Sequence, residues 1–581
     1  MEPANLKEDL DLEVLRHSTS HIMAQAVKRI FPEVKLGIGP SIRNGFYYDF
    51  GIDGALLSEN LAQVEKEMRK IIKENLPFEK ELVTKEKAIE VFRKRKEPYK
   101  LQLLEQIEDE KVTLYRQGEF VDLCRGPHLE STGKVEFFRL LSLAGAYWRG
   151  KEGNPMLTRI YGTSFHTEKE LEQYLRQIEE AKRRDHRRLG RELELFSISS
   201  DLGAGLIIYH PKGALLREII ENFEKEEHLK RGYQLVRSPH ISRAVLWKKS
   251  GHLDFYRKNM YLFSFGDEEY VIKPMNCLAH ILVYKYKVRS YRDLPLKYFE
   301  LGTVYRREES GVLHGLFRVR GFTQDDAHIF CMPSQLVEEV RKVVQFAIFM
   351  MDTFDLGYRM TLSTRPAKFI GPPEHWEKAT QALKDALGAE GLDFQIAQGE
   401  GAFYGPKIDI QMEDALGRLW QGPTIQVDFN LPERFDLKYT SPDGEKKRVV
   451  MVHRVVLGTI ERFLGVLIEH VGGAFPPWLS PVQVKILTIT QKEDSFAESL
   501  HQQMLDEGLR SEMDLRNELL GFKVRQAELE KIPYMLIIGQ MEAKKGLVTV
   551  RKRNGENLKN IKPQRFIQIV KEAVREKRTE I

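Results

Sequence analysis

One cysteine and two histidines in this sequence are of the types needed for an open zinc site. Cys277 lies in PMNCLAH, His328 in TQDDAHIF and His453 in VHRVVLG. Structural zinc sites use four protein ligands, whereas catalytic sites commonly use three and leave one position for a substrate. Three such ligands without a fourth therefore predict a zinc ion that is open to a small molecule. Spacing alone favours the alternative that all three are ordinary core residues.

The segment that contains His328 is predicted to be a β-strand. Period-two alternation places Gln324, Asp326 and His328 on one face of that strand. Cys331 falls on the opposite face, where we expect it to pack in the core. A carboxylate and an amide are therefore expected to flank the predicted metal ligand.

Arginines in two further segments are suited to phosphate binding. YFELGTVYRREES and LFRVRGFTQDD read as two strands joined by a loop, with Arg306 and Glu308 in the first and Arg318 and Phe322 in the second. A guanidinium fork suits a phosphoryl oxygen and an aromatic face suits a purine. Neither GxxxxGK[ST] nor a strand-GxGxxG-helix pattern occurs, which argues against a P-loop ATPase and a dinucleotide enzyme.

In order along the chain, these segments resemble the motifs of class II aminoacyl-tRNA synthetases. The helix predicted from Gly213 to Lys230, followed by GYQLVRSP, resembles motif 1; the arginine-rich strands resemble motif 2; and GTIERFLG resembles motif 3. The resemblance implies that Arg306 holds the α-phosphate of ATP, that Glu308 reads the adenine amino group and that Phe322 stacks on the base. Arg462, in the motif 3 helix, is then expected to face the γ-phosphate and the adenine.

Within that class, the zinc trio and the segments RGFTQDDAH, EGAFYGPKID, QVDFN and HRVVLGTIERF resemble threonyl-tRNA synthetases over essentially the whole chain. The resemblance implies a homodimer that joins L-threonine to threonine tRNA through an adenylate, with one Zn²⁺ per chain and Mg²⁺ accompanying ATP. It also implies a catalytic set and a threonine pocket. The catalytic set is Arg306, Arg318, Arg462 and Lys407, and the pocket is Asp326, Tyr404, Gln421 and Gln426, of which Gln426 also contacts ATP.

The first 166 residues contain a second group of histidine and cysteine side chains. LRHSTSHIMAQAVKRIF is predicted to be a helix with His17 and His21 on one face, and DLCRGPH adds Asp122, Cys124 and His128. Spacing alone favours a second tetrahedral zinc site. The family resemblance instead implies a metal-free domain that hydrolyses seryl-tRNA. It adds Tyr48 and Lys100 to that site, although a half-buried strand tyrosine and a solvated lysine are the plain alternatives.

The sequence predicts an α+β multidomain protein. We expect an α+β editing domain at residues 1–166, a charged linker helix at 167–189, a class II core with an antiparallel sheet at 190–477, and an α/β anticodon-binding domain at 478–581. Three prolines in AFPPWLSPVQ mark the last boundary, and strands and helices alternate after it. By resemblance, the residues that read the anticodon are Asn517, Arg525, Glu542 and Arg551, each of which is otherwise an ordinary surface residue.

Composition sets limits on the class of protein. The 581 residues are 42% apolar and 30% charged, and the net charge of +5 is only weak evidence for RNA binding. No apolar run approaches the length of a membrane span, and MEPANLKEDL lacks the apolar segment of a signal peptide. Three cysteines predict no disulfide framework and a reducing cytoplasm. We expect no membrane partner.

Two departures from the family pattern and three alternatives stay open at this point. The chain is expected to lack the ubiquitin-like domain that many relatives carry, and Gly422 and Pro423 stand where many have Cys and Gly. A prolyl enzyme would lack the zinc trio. A catalytically inactive RNA-binding regulator would have lost Arg306, Glu308 or Arg462, all of which are present. A zinc hydrolase using only the N-terminal residues would leave the ATP motifs unexplained.

Overall fold

The structure is a computed structural model in which residues 4–52, 59–151 and 153–579 are described. The chain divides into two compact units, Met1–Glu180 and Ala181–Ile581. Each unit has its own apolar core.

In the first unit, a long helix packs on a larger sheet, and a smaller sheet is formed by residues between the third and the last two strands of the unit. The helices are α1 (Ala4–Ile30), α2 (Asn60–Glu74), α3 (Lys85–Lys94) and α4 (Pro98–Leu104), and α5 (Glu168–Arg184) continues beyond the unit. The strands are β1 (Lys35–Leu36), β2 (Ser41–Ile42), β3 (Gly45–Gly51), β4 (Glu79–Thr84), β5 (Lys111–Gln117), β6 (Phe120–Leu123), β7 (Phe137–Tyr147) and β8 (Met156–Phe165). The larger sheet has the order β1-β3-β8-β7, with β2 paired to β3, and the smaller one has the order β4-β5-β6.

The predicted linker helix is two helices, so that part of the sequence analysis is wrong. The helix α5 ends at Arg184, and α6 (His186–Glu192) begins after Asp185. The side chain of Asp185 accepts a hydrogen bond from the backbone N–H of Arg187 and so caps the second helix. Aspartate is a favoured N-cap residue, so Asp185 is a local signal for the start of a helix. The many charged residues on both sides of it led instead to the prediction of one long helix.

In the second unit, an eight-stranded sheet contains the two strands of the predicted motif 2 and the short strand that follows the motif 1 helix. Its strands, in the order in which they pair, are β11 (Gln234–Leu235), β15 (Leu296–Tyr305), β16 (Gly321–Cys331), β23 (Val450–Val455), β20 (Leu419–Asp428), β19 (Lys407–Glu413), β17 (Gly357–Ser363) and β18 (Gln395–Ala397). All pairs between β15 and β17 are antiparallel. The antiparallel core that the resemblance implies is confirmed.

The remaining elements of this part flank the large sheet. The helices are α7 (Pro211–Lys230), α8 (Ala244–Ser250), α9 (His252–Tyr256), α10 (Cys277–Lys285), α11 (Leu336–Thr353), α12 (Pro373–Ala389), α13 (Asn430–Arg434) and α14 (Ile460–His470). The short strands are β9 (Phe196–Ile198), β10 (Ile207–Tyr209), β12 (Ile241–Arg243), β13 (Tyr261–Phe265), β14 (Glu268–Ile272), β21 (Lys438–Thr440) and β22 (Lys446–Arg448).

The two faces of β16 differ as the alternation predicts. Ala327, Ile329 and Cys331 are buried in the apolar core that α11, α12 and α14 form with the sheet. His328 and Asp326 point away from that core. The strand therefore separates the packing side of the sheet from the side that carries the polar residues.

The last part of the chain is a mixed sheet between helices, as predicted. Its elements are β24 (Val484–Thr488), α15 (Asp494–Asp506), β25 (Ser511–Asp514), α16 (Leu520–Leu529), β26 (Tyr534–Ile538), α17 (Gln540–Lys545), β27 (Val548–Lys552), β28 (Asn557–Ile561) and α18 (Pro563–Arg575). The strands β25, β24 and β26 are parallel, whereas β27 and β28 are antiparallel. Within the described residues, no helix is both long and apolar enough to span a membrane.

Candidate active site

A cavity of about 580 Å³ opens on the polar side of the large sheet. All the residues that the sequence analysis assigned to ATP, threonine and zinc line it. They are Cys277, Arg306, Glu308, Arg318, Phe322, Asp326, His328, Tyr404, Lys407, Gln421, Gln426, His453 and Arg462. Segments as far apart in sequence as α10 and α14 therefore meet at one place.

Strand register explains why these side chains converge. His328 pairs with His453 between β16 and β23, and His453 pairs with Gln426 between β23 and β20. Gln426 in turn pairs with Lys407 on β19. Directly paired residues project to the same face of a sheet. Four neighbouring strands thus present one continuous row of polar side chains to the cavity.

The two histidines of the predicted zinc trio face each other. The Nε2 of His328 lies 3.0 Å from the Nδ1 of His453. On its other side, the Nε2 of His453 lies 3.0 Å from a carboxylate oxygen of Asp428. A carboxylate behind a metal-binding imidazole fixes the ring and its tautomer. The Nδ1 of His453 and the Nε2 of His328 are therefore the atoms available to a metal.

Cys277 begins α10 and lines the same cavity. The ligand atoms of Cys277, His328 and His453 are, however, not all close to one another. Three groups of His, Cys, Asp or Glu within the described chain have ligand atoms all within 4.8 Å of one another, and this trio is not among them. Burial lowers the pKa of His328 well below its ordinary value and raises the pKa of the Cys277 thiol. The imidazole is consequently neutral, the form that binds metals.

Three arginines with one carboxylate line the other part of the cavity. Arg318 forms an ion pair of 2.9 Å with Glu308, while the guanidinium of Arg306 lies 5.0 Å from the ring centre of Phe322. Burial, followed by the charges of Arg306 and Arg318, lowers the pKa of Arg462. That mutual repulsion is relieved by a polyanion, so the charge pattern favours a phosphate-rich ligand.

The predicted threonine pocket is a hydrogen-bonded group. The hydroxyl of Tyr404 donates to Gln426 at 2.6 Å, and the amide of Gln421 donates to Asp409 at 2.7 Å. Lys407 forms an ion pair of 2.5 Å with the same Asp409. The side chains are therefore held in fixed positions before any ligand arrives.

Sequence reasoning missed several residues of this site. Asp409 and Asp428 stand two positions after Lys407 and Gln426, so strand alternation applied to KID and QVD would have found them. Asn276, which donates to Asp326 at 3.0 Å, had no comparable signal. Burial raises the pKa of Asp326.

In the first unit, His17, His21, Cys124 and His128 form a compact group, called here the N-terminal cluster. Their ligand atoms all lie within 4.8 Å of one another. The Sγ of Cys124 lies 3.3 Å from the Nε2 of His17 and 3.2 Å from the Nε2 of His128. The structure thus brings together the two segments in which the sequence analysis found these side chains.

Asp122 ties the remaining predicted residues to this cluster. It accepts a hydrogen bond of 2.7 Å from the Tyr48 hydroxyl and forms an ion pair with Lys100. Both side chains are buried, Lys100 being only 2% exposed. The plain alternatives for these two residues, a half-buried tyrosine and a solvated lysine, are therefore wrong.

The four residues predicted to read an anticodon lie on the C-terminal mixed-sheet part. Asn517 and Arg525 are exposed. Arg551 on β27 forms an ion pair of 2.9 Å with Glu528 of α16. Glu542 caps α17 by accepting the backbone N–H of Gly539, and it also accepts the Thr549 hydroxyl. Glu542 thus has a structural task in addition to any role in binding.

Three family profiles match the chain. Residues 261–471 match the tRNA synthetase class II core domain (G, H, P, S and T), and residues 483–573 match the anticodon binding domain. Residues 112–161 match the threonyl and alanyl tRNA synthetase second additional domain. The three matches fall on the core, the C-terminal part and the first unit respectively.

Whole-chain comparisons agree with these matches. A threonine–tRNA ligase of Citrifermentans bemidjiense is 55% identical over 97% of this chain and 89% of its own. A crystal structure described as the RNA binding domain of threonyl-tRNA synthetase from Cryptosporidium parvum has a TM-score of 0.64 and 40% identity, over 67% of this chain and 98% of that one. A prolyl-tRNA synthetase from the same organism shares the fold at 17% identity and a TM-score of 0.52, over 67% of this chain and 74% of that one.

Proposed function

Because the chain belongs to the threonine–tRNA ligase family, we propose that it activates L-threonine with ATP and transfers the threonyl group to threonine tRNA. The observation that supports this most directly is the row His328, His453, Gln426 and Lys407, which lies across four strands beside the three arginines. Amino-acid-dependent pyrophosphate exchange, measured with each of the twenty amino acids, tests it. Threonine is expected to give the fastest exchange. Exchange that depends on proline, or exchange in the absence of any amino acid, would contradict the proposal.

The arginines are proposed to bind ATP together with Mg²⁺. The carboxylate of threonine attacks the α-phosphorus, pyrophosphate leaves, and Arg306, Arg318 and Arg462 stabilise the charge that develops on the phosphoryl oxygens. Glu308 and Phe322 are proposed to bind the adenine. The lysine of the set, Lys407, is proposed to act beside the reacting carboxylate, since its ion pair with Asp409 directs it into the cavity.

Cys277, His328 and His453 are proposed to hold one zinc ion. The two imidazole nitrogens 3.0 Å apart, with Asp428 behind one of the rings, fit a metal. A zinc ion held by these three residues would stay open to the amino group and the hydroxyl of threonine, and it would exclude valine, which lacks the hydroxyl. Asp326, Tyr404, Gln421 and Gln426 then orient the bound amino acid by hydrogen bonds.

Serine satisfies the same hydroxyl requirement, so a second site is needed. One missing methyl group gives a discrimination of only about 10 to 200-fold. We assign hydrolysis of seryl-tRNA to residues 1–166 and to the N-terminal cluster, with Tyr48, Lys100 and Asp122. Replacing His21 and Cys124 by Ala is expected to leave threonylation near normal while seryl-tRNA accumulates. A double variant that clears added seryl-tRNA as fast as the parent would contradict the assignment.

The C-terminal part, residues 478–581, is proposed to bind the anticodon through Asn517, Arg525, Glu542 and Arg551. The exposure of Asn517 and Arg525 leaves them accessible to unstacked bases. Arginine suits this task because it stacks on a base and hydrogen-bonds to its edge.

The protein is proposed to be a homodimer and to be located in the cytoplasm. Several apolar side chains in the motif 1 segment and just after it are exposed, and they are Leu215, Leu229, Leu235, Ile241 and Val245. Contiguous exposed apolar surface is typical of a protein–protein interface, and these side chains are the proposed contact. The three cysteines are all free, which fits a reducing compartment. Sedimentation equilibrium is expected to give twice the chain mass.

A further inference from the structure

The carboxylate of Asp325, on β16, accepts three successive backbone N–H groups. One of its oxygens accepts those of Val456 at 2.6 Å and Leu457 at 3.0 Å. The other oxygen accepts the N–H of Gly458 at 2.8 Å. Residues 456–459 connect β23 to α14 and are called here the motif 3 connection. Val456 and Leu457 are fully buried, so their N–H groups would pay the full cost of desolvation if the carboxylate were absent.

Asp325 acts on this connection from the core side of the sheet. Alternation along β16 puts it on the same face as Ala327 and Ile329, and it does not line the cavity. Burial raises the pKa of Asp325 to about 6, while the charge of Arg454 and the three N–H groups oppose the rise. The carboxylate is therefore mainly ionised above about pH 7, the form that accepts all three hydrogen bonds.

The motif 3 connection leads directly to Arg462. Thr459 forms a β-bridge with Gln324, and its hydroxyl accepts the backbone N–H of Arg462 at 3.3 Å, so it caps α14. The guanidinium of Arg462 lines the cavity, and its Nε donates to the carbonyl oxygen of Phe317 at 3.1 Å. Because Arg462 lies in the first turn of the helix, the path of the connection determines where this guanidinium begins.

Gly458 limits the paths that the connection can take. Its φ of 98° lies in the region that favours glycine. A Cβ atom at this position would lie 3.2 Å from the carbonyl oxygen of Gly422 on β20. The connection is therefore confined between the Asp325 carboxylate and the backbone of a neighbouring strand.

A separate contact holds the core side of α14. The carboxylate of Glu461 accepts the backbone N–H of Thr323 at 2.9 Å and forms an ion pair of 2.9 Å with Arg217 of α7. Phe463, on the same helix, is fully buried in the core. Loss of the Asp325 carboxylate is therefore expected to shift the connection without releasing the helix.

We propose that Asp325 is a positioning residue for amino-acid activation, which fixes the motif 3 connection and thereby the guanidinium of Arg462. This inference rests on the proposed function, in which Arg462 stabilises the charge that develops on the phosphoryl oxygens of ATP. A guanidinium can do so only if it is already in place when that charge develops. No family profile or relative's name assigns Asp325 a role.

Asp325→Asn in the full-length chain tests the proposal by threonine-dependent pyrophosphate exchange. Asparagine keeps one oxygen but turns an N–H₂ group towards at least one N–H of the connection. The kcat is expected to fall by about 10 to 100-fold, since a misplacement of about 1 Å can cost that much. The KM for threonine and the zinc content are expected to stay at parental values, because the residues proposed to bind them lie on the polar side of the sheet. A parental kcat would overturn the proposal.

Asp514→Asn is the matched control for this substitution. Asp514 is also a buried carboxylate that accepts a backbone N–H, that of Arg516 at 3.2 Å, but it lies in the C-terminal part. Its variant is expected to exchange pyrophosphate at the parental rate. An equal loss in Asp514→Asn and Asp325→Asn would show that any buried aspartate has this effect, and it would contradict a specific role for Asp325.

A double-mutant cycle separates positioning from a general structural role. Asp325→Asn is introduced into Arg462→Ala, and exchange is measured at high enzyme concentration so that slow rates are detected. If Asp325 acts through the guanidinium, its substitution is expected to change the rate of Arg462→Ala by no more than about twofold, because the two losses are not independent. The same factor of loss in both backgrounds would mean that Asp325 only supports the fold, and it would overturn the proposal.

Gly458→Ala alters the connection while the carboxylate stays in place, so it also covers the case in which Asp325→Asn does not fold. It is expected to lower kcat and to show the same lack of additivity with Arg462→Ala. Gly508→Ala is the control, since Gly508 has a φ of 76° and nothing within 4 Å of an added Cβ. Parental kcat in Gly458→Ala would contradict the proposal.

The inference and the function on which it rests fail in different ways. If Arg462→Ala exchanges pyrophosphate as fast as the parent, the proposed role of Arg462 is wrong, and the role of Asp325 falls with it. If Arg462→Ala is slow and Asp325→Asn adds its full loss, the proposed function stands and only the role of Asp325 falls.

Discussion

The Nδ1 atoms of His280 and His328 lie 2.8 Å apart, so one ring donates a hydrogen bond to the other. If the Nε2 of His328 is kept free for the proposed zinc, the proton of this neutral ring lies on Nδ1 and His280 is the acceptor. On its far side, the Nε2 of His280 lies 3.4 Å from Glu300. A buried His280 and a carboxylate thus stand behind one predicted metal ligand, just as Asp428 stands behind the other.

His280→Ala is expected to weaken zinc binding by roughly 10 to 100-fold, which is the usual effect of losing such a supporting partner. The ring of His328 would then lose the acceptor that fixes its proton on Nδ1. Competition with a zinc chelator measures the change. His501→Ala, a half-buried histidine of the C-terminal part bonded to Ser511, is the control. Equal zinc affinity in the two variants would show that His280 does not support the site.

Cys277→Ser is expected to release the zinc and to abolish threonine activation together, because an alcohol is a far poorer zinc ligand than a thiolate. Metal analysis of the parent should give one zinc per chain. Cys331→Ser, at a cysteine on the core face of β16, is the matched control and should keep its zinc. Two zinc ions per parent chain would indicate a second metal site at the N-terminal cluster, and none would contradict the open-zinc proposal.

Arg551→Ala is expected to weaken aminoacylation of tRNA while threonine-dependent pyrophosphate exchange stays intact, because Arg551 is proposed to contact only the anticodon. The neighbouring Lys552→Ala is the control, since Lys552 pairs with Glu556 on the same hairpin. Equal losses in both assays would mean that Arg551 supports folding, through its ion pair with Glu528. The same reasoning applies to Arg525, which forms no ion pair among the described residues.

Glu224→Gln is expected to stabilise the second unit increasingly as pH rises. Burial, followed by the charge of Asp325, raises the pKa of the fully buried Glu224 well above its ordinary value, against the opposing charge of Arg454. The folded state therefore holds a proton that the unfolded state has already lost above about pH 4.5, so the parent loses stability as pH rises through the folded pKa. The glutamine variant does not titrate.

Thermal midpoints of the parent and the Glu224→Gln variant, measured between pH 5 and pH 8, check this expectation. The variant should gain on the parent across that interval. Glu221, Glu227 and His228 also face Glu224 and are common to both proteins, so their titration cancels in the difference. A constant difference at every pH would mean that Glu224 does not titrate on unfolding.

The sequence was sufficient to predict a structural feature wherever the residues that signal this feature lie in one short segment. The alternation of β16 placed His328 and Cys331 on opposite faces, and the 3.6-residue period placed His17 and His21 on one face, because both periods follow from backbone geometry alone. The order of motifs indicated the class II core. The break at Asp185 was also local, since Asp is a favoured helix cap, yet the high charge of the surrounding segment favoured one long helix.

Contacts between distant segments were decided by tertiary structure. Lys100 reads as a solvated charge in its own helix, and only the approach of Asp122 from another element gives it a partner in a buried position. His280 and His328 are 48 positions apart, and no local pattern links them. Ser18 of the first helix likewise accepts the backbone N–H of Leu129, a residue of a loop 111 positions away.

By itself, therefore, the sequence determined which residue types are present, which strand or helix face each occupies, and the order of the parts. The tertiary structure decided which of those faces meet. It thereby decided which side chains are buried and hydrogen-bonded, because hydrogen-bond partners and burial depend on the packing of elements that are remote in the chain.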